Sequence, residues 1–328
     1  MHSFDYDRAD SLDTALQLGK QPGARFVAGG TNLLDLIKAG VERPQRLVDV
    51  GRLPLASIDA TPDGGIRIGA MVGNADAADH PLVRGHYPLL QAALLAGASP
   101  QLRNMATIGG NLMQRTRCHY FYDIGFDACN KRDPGSGCAA RDGVQRQHAI
   151  LGASEHCIAT HPSDMCVALV ALDASVVVRC AGGERRIPVE DFHRLPGDTP
   201  ERDTNLEAGE LIVAVELPPS RCGAHCHYLK VRDRASYAFA LVSVAAALQL
   251  DGGIVRAARI VLGGVAHKPW RAQAAEQSLR DRPLDGTALR QAATLSVQGA
   301  QPCPGNAFKV ELAQRAVIRA LSIAGGMR

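Results

Sequence analysis

Apolar and polar residues follow two rhythms along this chain, and each rhythm breaks at a glycine or a proline. Ser11 precedes a run to residue 18 with helical spacing of its apolar positions, and its hydroxyl suits a cap. Residues 25–28 read as a strand that stops at Gly29 and Gly30. Residues 33–39 return to the helical period, with Asn32 and Asp35 placed like a capping box at the start. The pattern predicts strands at 46–50 and 65–70 and a buried helix at 89–98.

Residues 115–150 break the pattern. They are poor in aliphatics and rich in Cys, Arg, Asp and Gly, so they cannot build a core of their own. Such a loop-rich insertion needs disorder or a metal staple. Strand patterns return at 175–180 and 211–217, and Pro218-Pro219 then mark a boundary between residues 1–220 and 221–328. Beyond it come a strand at 228–231 and a hairpin of 239–250 with 255–262 around Asp251-Gly252-Gly253. Helices are predicted at 283–297 and 307–324, which makes the second part a separate α+β domain.

Composition narrows the class. A length of 328 residues suits two or three domains, and 46% apolar with 21% charged residues is ordinary for a soluble globular protein. A net charge of +3 is too small to argue for nucleic acid, and with 4% aromatics no base-stacking platform is apparent. No apolar run reaches the ~18 residues of a membrane helix. Residues 1–7 lack the pattern of a cleavable signal, so the expectation is synthesis as a soluble cytoplasmic protein, unless a partner carries it elsewhere.

The candidate chemistry starts at two glycine turns. One is Phe26-Val27-Ala28-Gly29-Gly30-Thr31-Asn32-Leu33-Leu34, the other Thr107-Ile108-Gly109-Gly110-Asn111. Neither has the lysine of a P-loop or the G-x-G-x-x-G spacing of a nicotinamide turn. Strand, glycine turn and helix start in that order favour an anion. Two such turns brought together could hold both ends of one diphosphate, as in FAD. The sequence Gly135-Ser136-Gly137-Cys138-Ala139-Ala140 matches G-x-G-x-x-A but follows Arg132-Asp133-Pro134 rather than a strand, and is read as a chance match.

Nine cysteines, an odd number, do not suggest a disulfide framework in a chain of this kind. Cys166 and Cys180 read as buried small hydrophobes, and Cys303 as a loop thiol. Cys222 and Cys226, beside His225 and His227, are a weak metal candidate because no second pair accompanies them. Cys118, Cys129, Cys138 and Cys157 are spaced C-x10-C-x8-C-x18-C. Zinc sites favour close pairs, which are absent, whereas widely spaced loop thiolates suit a cubane cluster. From spacing alone an iron–sulfur cluster, unrelated thiols and zinc all stay open. Arg117, Lys131 and Arg132 could offset a cluster's negative charge or simply form a solvated basic loop.

Both glycine turns, together with Thr160-His161-Pro162-Ser163-Asp164, resemble the FAD-binding subunits of molybdenum hydroxylases, a family that includes xanthine and carbon monoxide dehydrogenases. The likeness spans essentially the whole chain. Residues 114–118, 129–132, 134–138 and 230–240 look closest to the aldehyde oxidoreductases of the enteric periplasm. The resemblance implies an α+β fold: a two-subdomain FAD-binding domain of the vanillyl-alcohol oxidase-like type, carrying a cysteine-rich insertion at 115–157, plus a C-terminal domain of the CO dehydrogenase flavoprotein type. It implies FAD held by residues 26–34 and 107–111, with Asp164 on the adenosine half. Leu211 or Ile212 would pack on the isoalloxazine and Lys230 would lie near its polar edge. Read from the residues alone, Leu211 and Ile212 are core and Asp164 caps a helix beginning at Met165.

The resemblance further implies that Cys118, Cys129, Cys138 and Cys157 ligate a 4Fe–4S cluster. It implies partners too, a 2Fe–2S small subunit and a molybdenum-cofactor large subunit. Electrons from aldehyde oxidation would pass through this chain to an external acceptor, with no catalytic side chain here. Residence would be periplasmic by co-export with a signal-bearing partner, or else cytoplasmic. The alternatives are a flavin subunit of the xanthine dehydrogenase or 4-hydroxybenzoyl-CoA reductase type, a self-sufficient FAD reductase, and a zinc-stapled interaction subunit.

Overall fold

The computed structural model describes residues 2–220, 223 and 225–327. Cys222 lies outside the described residues. The chain opens with β1 (Asp5–Arg8), α1 (Leu12–Gly19), β2 (Ala24–Val27), α2 (Leu33–Lys38) and β3 (Arg46–Asp49). These form a parallel sheet in the order β1-β3-β2, as two strand–helix–strand crossovers require. Ser11 caps α1 by accepting from the Thr14 N–H at 3.1 Å.

A second unit contains β4 (Ile58–Ala60), β5 (Ile66–Gly69), α3 (Asn74–Asp79), α4 (Pro81–His86), α5 (Pro88–Ala96), α6 (Pro100–Met105) and α7 (Ile108–Leu112). Of these helices the hydrophobic rhythm predicts only α5. The others have five or six residues, too few to display a period. Proline opens α4, α5 and α6, at the position where its missing N–H costs nothing. The insertion follows, with little regular structure beyond α8 (His119–Tyr122). Then come α9 (Asp164–Ala171), β6 (Ser175–Cys180), β7 (Gly183–Pro188), α10 (Val189–Phe192) and β8 (Leu211–Leu217), and the antiparallel sheet runs β4-β5-β8-β6-β7. Cys166 is buried as expected, but Cys180 is only half-buried at the end of β6.

The third unit holds β9 (Cys226–Val231), β10 (Val242–Asp251), β11 (Ile254–Gly263), β12 (Trp270–Arg271), α11 (Gln273–Leu279), β13 (Arg282–Pro283), α12 (Gly286–Ser296) and α13 (Phe308–Ala324). Gly252 and Gly253 turn the β10–β11 hairpin with φ of 56° and 84°, the left-handed pair such a two-residue turn demands. Strand alternation gives β10 two buried faces. Val242, Val244, Ala246 and Leu248 join a core with α11, α12 and α13. Ala245 and Ala247 join the core that holds α5 and α9. The C-terminal sheet is therefore sandwiched, and its small residues let α9 approach closely.

Candidate functional site

A cavity of about 460 Å³ opens between the first and second units. Phe26, Val27, Ala28, Gly29, Gly30, Thr31, Asn32 and Leu33 form one wall, and Thr107, Gly109 and Gly110 another. Leu211 and Ile212 line it from the first residues of β8. Leu34, Ile108 and Asn111 belong to the turns but do not line it. Ile108 is core, and Asn111 is engaged by Ser163, whose hydroxyl donates to its side-chain oxygen at 2.7 Å.

The first turn packs at Gly29 against the end of α6, just ahead of the second turn. A β-carbon there would lie 1.7 Å from the Met105 carbonyl, so only glycine lets the first turn touch the end of α6. Gly30 has φ of 71°, which reverses the chain into α2. The N–H groups of Gly29, Gly30, Thr31 and Asn32 make no hydrogen bond among the described residues. The second turn is different. Ile108, Gly109, Gly110 and Asn111 donate to Val72 O, Ala70 O, Thr107 Oγ1 and Thr107 O respectively.

Asn32 does not cap α2, contrary to the spacing with Asp35. Its side-chain oxygen accepts from the Arg115 N–H at 2.9 Å, and its side-chain nitrogen donates to the Tyr122 hydroxyl at 3.0 Å. The residue is used to tie the first turn to the insertion.

The insertion reaches the cavity through Arg115, which lines it with Glu42 and Asp203. Arg115 donates to Asp203 at 2.7 Å and to Glu42 at 2.5 Å, and stacks over Phe121. Lys131, almost fully buried, donates to the other Asp203 oxygen and to Pro200 O. Burial raises the Asp203 pKa, but Lys131 and Arg115 more than offset it and hold the carboxyl well below its usual range. One carboxylate thus joins the insertion to the cavity wall.

Cys118, Cys129, Cys138 and Cys157 line a single small pocket with Tyr120, Phe121 and Ala140. Cys129 and Cys138 face each other across an isolated bridge, and all four are free thiols. Gly135 and Gly137, with φ of 90° and 100°, turn this hairpin, and both donate to the Asn130 side chain. The G-x-G-x-x-A sequence is accordingly a hairpin, not a strand-to-helix turn. Cys118 Sγ lies 3.1 Å from His148 Nε2. Burial pushes the thiols of Cys118 and Cys157 up to about 12 and about 11. The donor set is four soft sulfurs with no carboxylate, which fits a thiolate-bound metal group and not a hard cation.

The basic residues near this pocket have other duties. Arg132 donates to the carbonyls of Tyr120, Phe121 and Phe126, and Arg117 donates to the Tyr122 hydroxyl. Lys131, although paired with Asp203, still lowers the Cys157 pKa.

Asp164 and Lys230 do not line the cavity. Lys230 donates to Asp164 Oδ2 at 2.7 Å and to Ala96 O at 3.0 Å, while the Tyr228 hydroxyl donates to Asp164 Oδ1 at 2.7 Å. Both carboxylate oxygens are committed within a buried ion pair between α9 and β9. The helix cap at this point is Ser163, which accepts from the Cys166 N–H.

Residues 2–220 match the family described as the FAD binding domain in molybdopterin dehydrogenase, and residues 227–324 match the CO dehydrogenase flavoprotein C-terminal domain. The chain belongs to the FAD-binding medium subunits of molybdenum hydroxylases. It is 54% identical over 324 residues to the aldehyde oxidoreductase FAD-binding subunit PaoB of Escherichia coli K12, covering 98% of each chain. It is 30% identical to the glyceraldehyde dehydrogenase medium chain of Sulfolobus acidocaldarius, over 89% of this chain and 86% of the other. Among solved structures it resembles quinoline 2-oxidoreductase of Pseudomonas putida 86 (TM-score 0.76, 27% identity, 99% and 98% covered). It also resembles carbon monoxide dehydrogenase of Hydrogenophaga pseudoflava (TM-score 0.77, 27% identity, 98% and 97% covered). The chain is thus an oxidoreductase subunit with an α+β fold.

The cavity fits the cofactor that this family binds. Four adjacent residues whose N–H groups have no partner among the described residues line it, and Leu211 and Ile212 add apolar lining. Sequence reasoning missed Glu42, Arg115, His193 and the wall of 201–210. The last of these is a largely polar, irregular segment without any motif, and only Gly209 and the preceding Pro200 punctuate it in the sequence.

Proposed function

We propose that this chain is the FAD- and 4Fe–4S-carrying electron-transfer subunit of a heterotrimeric aldehyde oxidoreductase. In this reading an aldehyde is oxidised to its carboxylic acid on a molybdenum-cofactor large subunit. The electrons cross the 2Fe–2S clusters of a small subunit, and this chain delivers them to an external acceptor. The same reading takes the complex to the periplasm, exported with a signal-bearing partner. The observation that carries it is the single cavity bounded by both glycine turns and by Leu211 and Ile212, joined through the Asp203–Lys131 pair to a pocket of four cysteines.

FAD, when bound, supplies the exchange between one-electron and two-electron steps. The N–H groups of Gly29, Gly30, Thr31 and Asn32 would bind the diphosphate, and the second turn, with the N–H groups of residues 108–111 already used, would set the distance to the opposite wall. Leu211 and Ile212 would exclude water from one side of the ring system. Cys118, Cys129, Cys138 and Cys157 would hold a cluster, one thiolate to each iron. Asp203, gripped by Arg115 and Lys131, fixes the two sites relative to each other. No side chain of this chain is required to take a proton from the aldehyde.

The test is the cofactor content of the anaerobically purified chain, with low-temperature EPR after reduction. About one FAD with about four irons and four sulfides supports the proposal. FAD without iron removes the cluster and leaves a plain flavin subunit. Zinc without FAD overturns the reading.

A further inference from the structure

His161, Cys166 and His193 come from three separate elements, and none of them belongs to the cysteine pocket. His161 sits in the segment leading to α9, Cys166 is in the first turns of α9, and His193 ends α10. One ligand atom from each lies within 4.8 Å of the other two. The two imidazole rings are 4.1 Å apart between centroids. Both ring nitrogens of His161, and Nδ1 of His193, are closed to solvent and have no hydrogen-bond partner among the described residues. Such orphans are costly in a folded interior and call for an occupant.

The orientation of His193 points to the kind of occupant. Its Nε2 lies 2.9 Å from the Leu112 carbonyl, so this nitrogen carries the proton and donates. The lone pair is then left on Nδ1, the ring nitrogen with no hydrogen-bond partner among the described residues. A backbone carbonyl holding the far nitrogen is the usual support of a metal-ligating histidine. Burial also lowers the pKa of both rings, that of His193 to about 4, which keeps their lone pairs available.

We propose that His161, Cys166 and His193 form a buried binding site for a single divalent metal of the zinc type. Two imidazoles and one thiolate are the borderline-soft donors that Zn²⁺ prefers. With Zn–N of about 2.0–2.1 Å and Zn–S of about 2.3 Å, the three atoms draw in by roughly an ångström, within reach of side-chain rotation. Binding forms the sulfur–metal bond and breaks the Cys166 S–H bond, and that proton leaves to solvent. No electron is transferred. The site would act as a staple, since it pins α9 to the end of α10. The segment after α10 forms part of the cavity wall, where His193 itself appears. This inference does not depend on a cluster at the other four cysteines.

The experiment uses the complex purified from zinc-supplemented cells and dialysed against a chelator. Zinc is measured per chain, and the zinc-edge X-ray absorption of the wild type gives the donor set. The expected result is about one retained zinc with a shell of two nitrogens to one sulfur. Zinc falls at least about tenfold in Cys166→Ala and in His161→Ala, and stays in Cys118→Ala. Absence of chelator-resistant zinc overturns the proposal. So does a shell of sulfur alone, or zinc that is lost with Cys118→Ala but kept in Cys166→Ala. The absorption measurement needs only the wild type, so a variant that fails to fold leaves the test intact.

Discussion

The open cavity and the cysteine pocket are neighbours built on opposite plans. The cavity is made by backbone: its donors are main-chain N–H groups, and its shape depends on glycines at 29 and 30 that have no side chain to offer. The pocket is made by side chains, four thiols on a hairpin and loops with almost no regular structure. A backbone site tolerates a change of side chain as long as the path is kept. A side-chain site tolerates a change of path as long as the donors converge. The two should therefore fail in different ways.

The largest effect is expected from Gly29→Ala. Its methyl would overlap the Met105 carbonyl and push the turns apart, so FAD retained by the purified chain should fall more than about tenfold. Cys129→Ser sharpens the contrast. It should reduce bound iron from about four per chain toward none while flavin stays. Joint loss of flavin and iron would show that the two sites stand or fall together.

Asp203→Asn attacks the link between them. It leaves Lys131 buried without its anionic partner, and the cost should be about 3 kcal/mol, the low end for a broken buried pair because Asp203 is itself a quarter exposed. The sign of the pH dependence follows from the lowered folded pKa. The wild-type carboxylate stabilises the fold above the unfolded value of about 3.9, and that stabilisation is lost as pH falls through the folded value. Thermal melts from pH 7 downward should show this acid limb in the wild type and a flatter one in the variant. The smallest effect is expected from Asn32→Ala, which removes two hydrogen bonds between the first turn and the insertion, at about 1–3 kcal/mol. Flavin affinity should weaken severalfold with iron unchanged, as isothermal titration and iron assay would show.

What could be read in the sequence was local. The strand, glycine turn and helix around Gly29 and Gly30 were legible because one short segment carries the whole pattern. The hairpin at Gly252 and Gly253 was legible for the same reason. Asn32 was read as a cap because caps are a matter of spacing, whereas its actual partners lie 83 and 90 residues away. The Asp164–Lys230 pair spans 66 residues, and no local rule reports such a contact. The cavity wall at 201–210 was invisible because polar residues without periodicity look alike whether they face a cavity or bulk water. Arg117, Lys131 and Arg132 were read together, as cations offsetting a cluster or as a solvated basic loop, yet each has its own fixed partner.

The two-faced strand β10 has a practical consequence. Pro218-Pro219 look like a place to divide the chain, and a protein engineer would cut there. The C-terminal piece would then carry Ala245, Ala247, Val261 and Tyr228 on a bare apolar face, and the N-terminal piece would expose the buried side of α9 that covers them. Neither fragment would stay in solution alone, so the chain must be expressed, labelled and crystallised in one length, and split reporters belong in its surface loops.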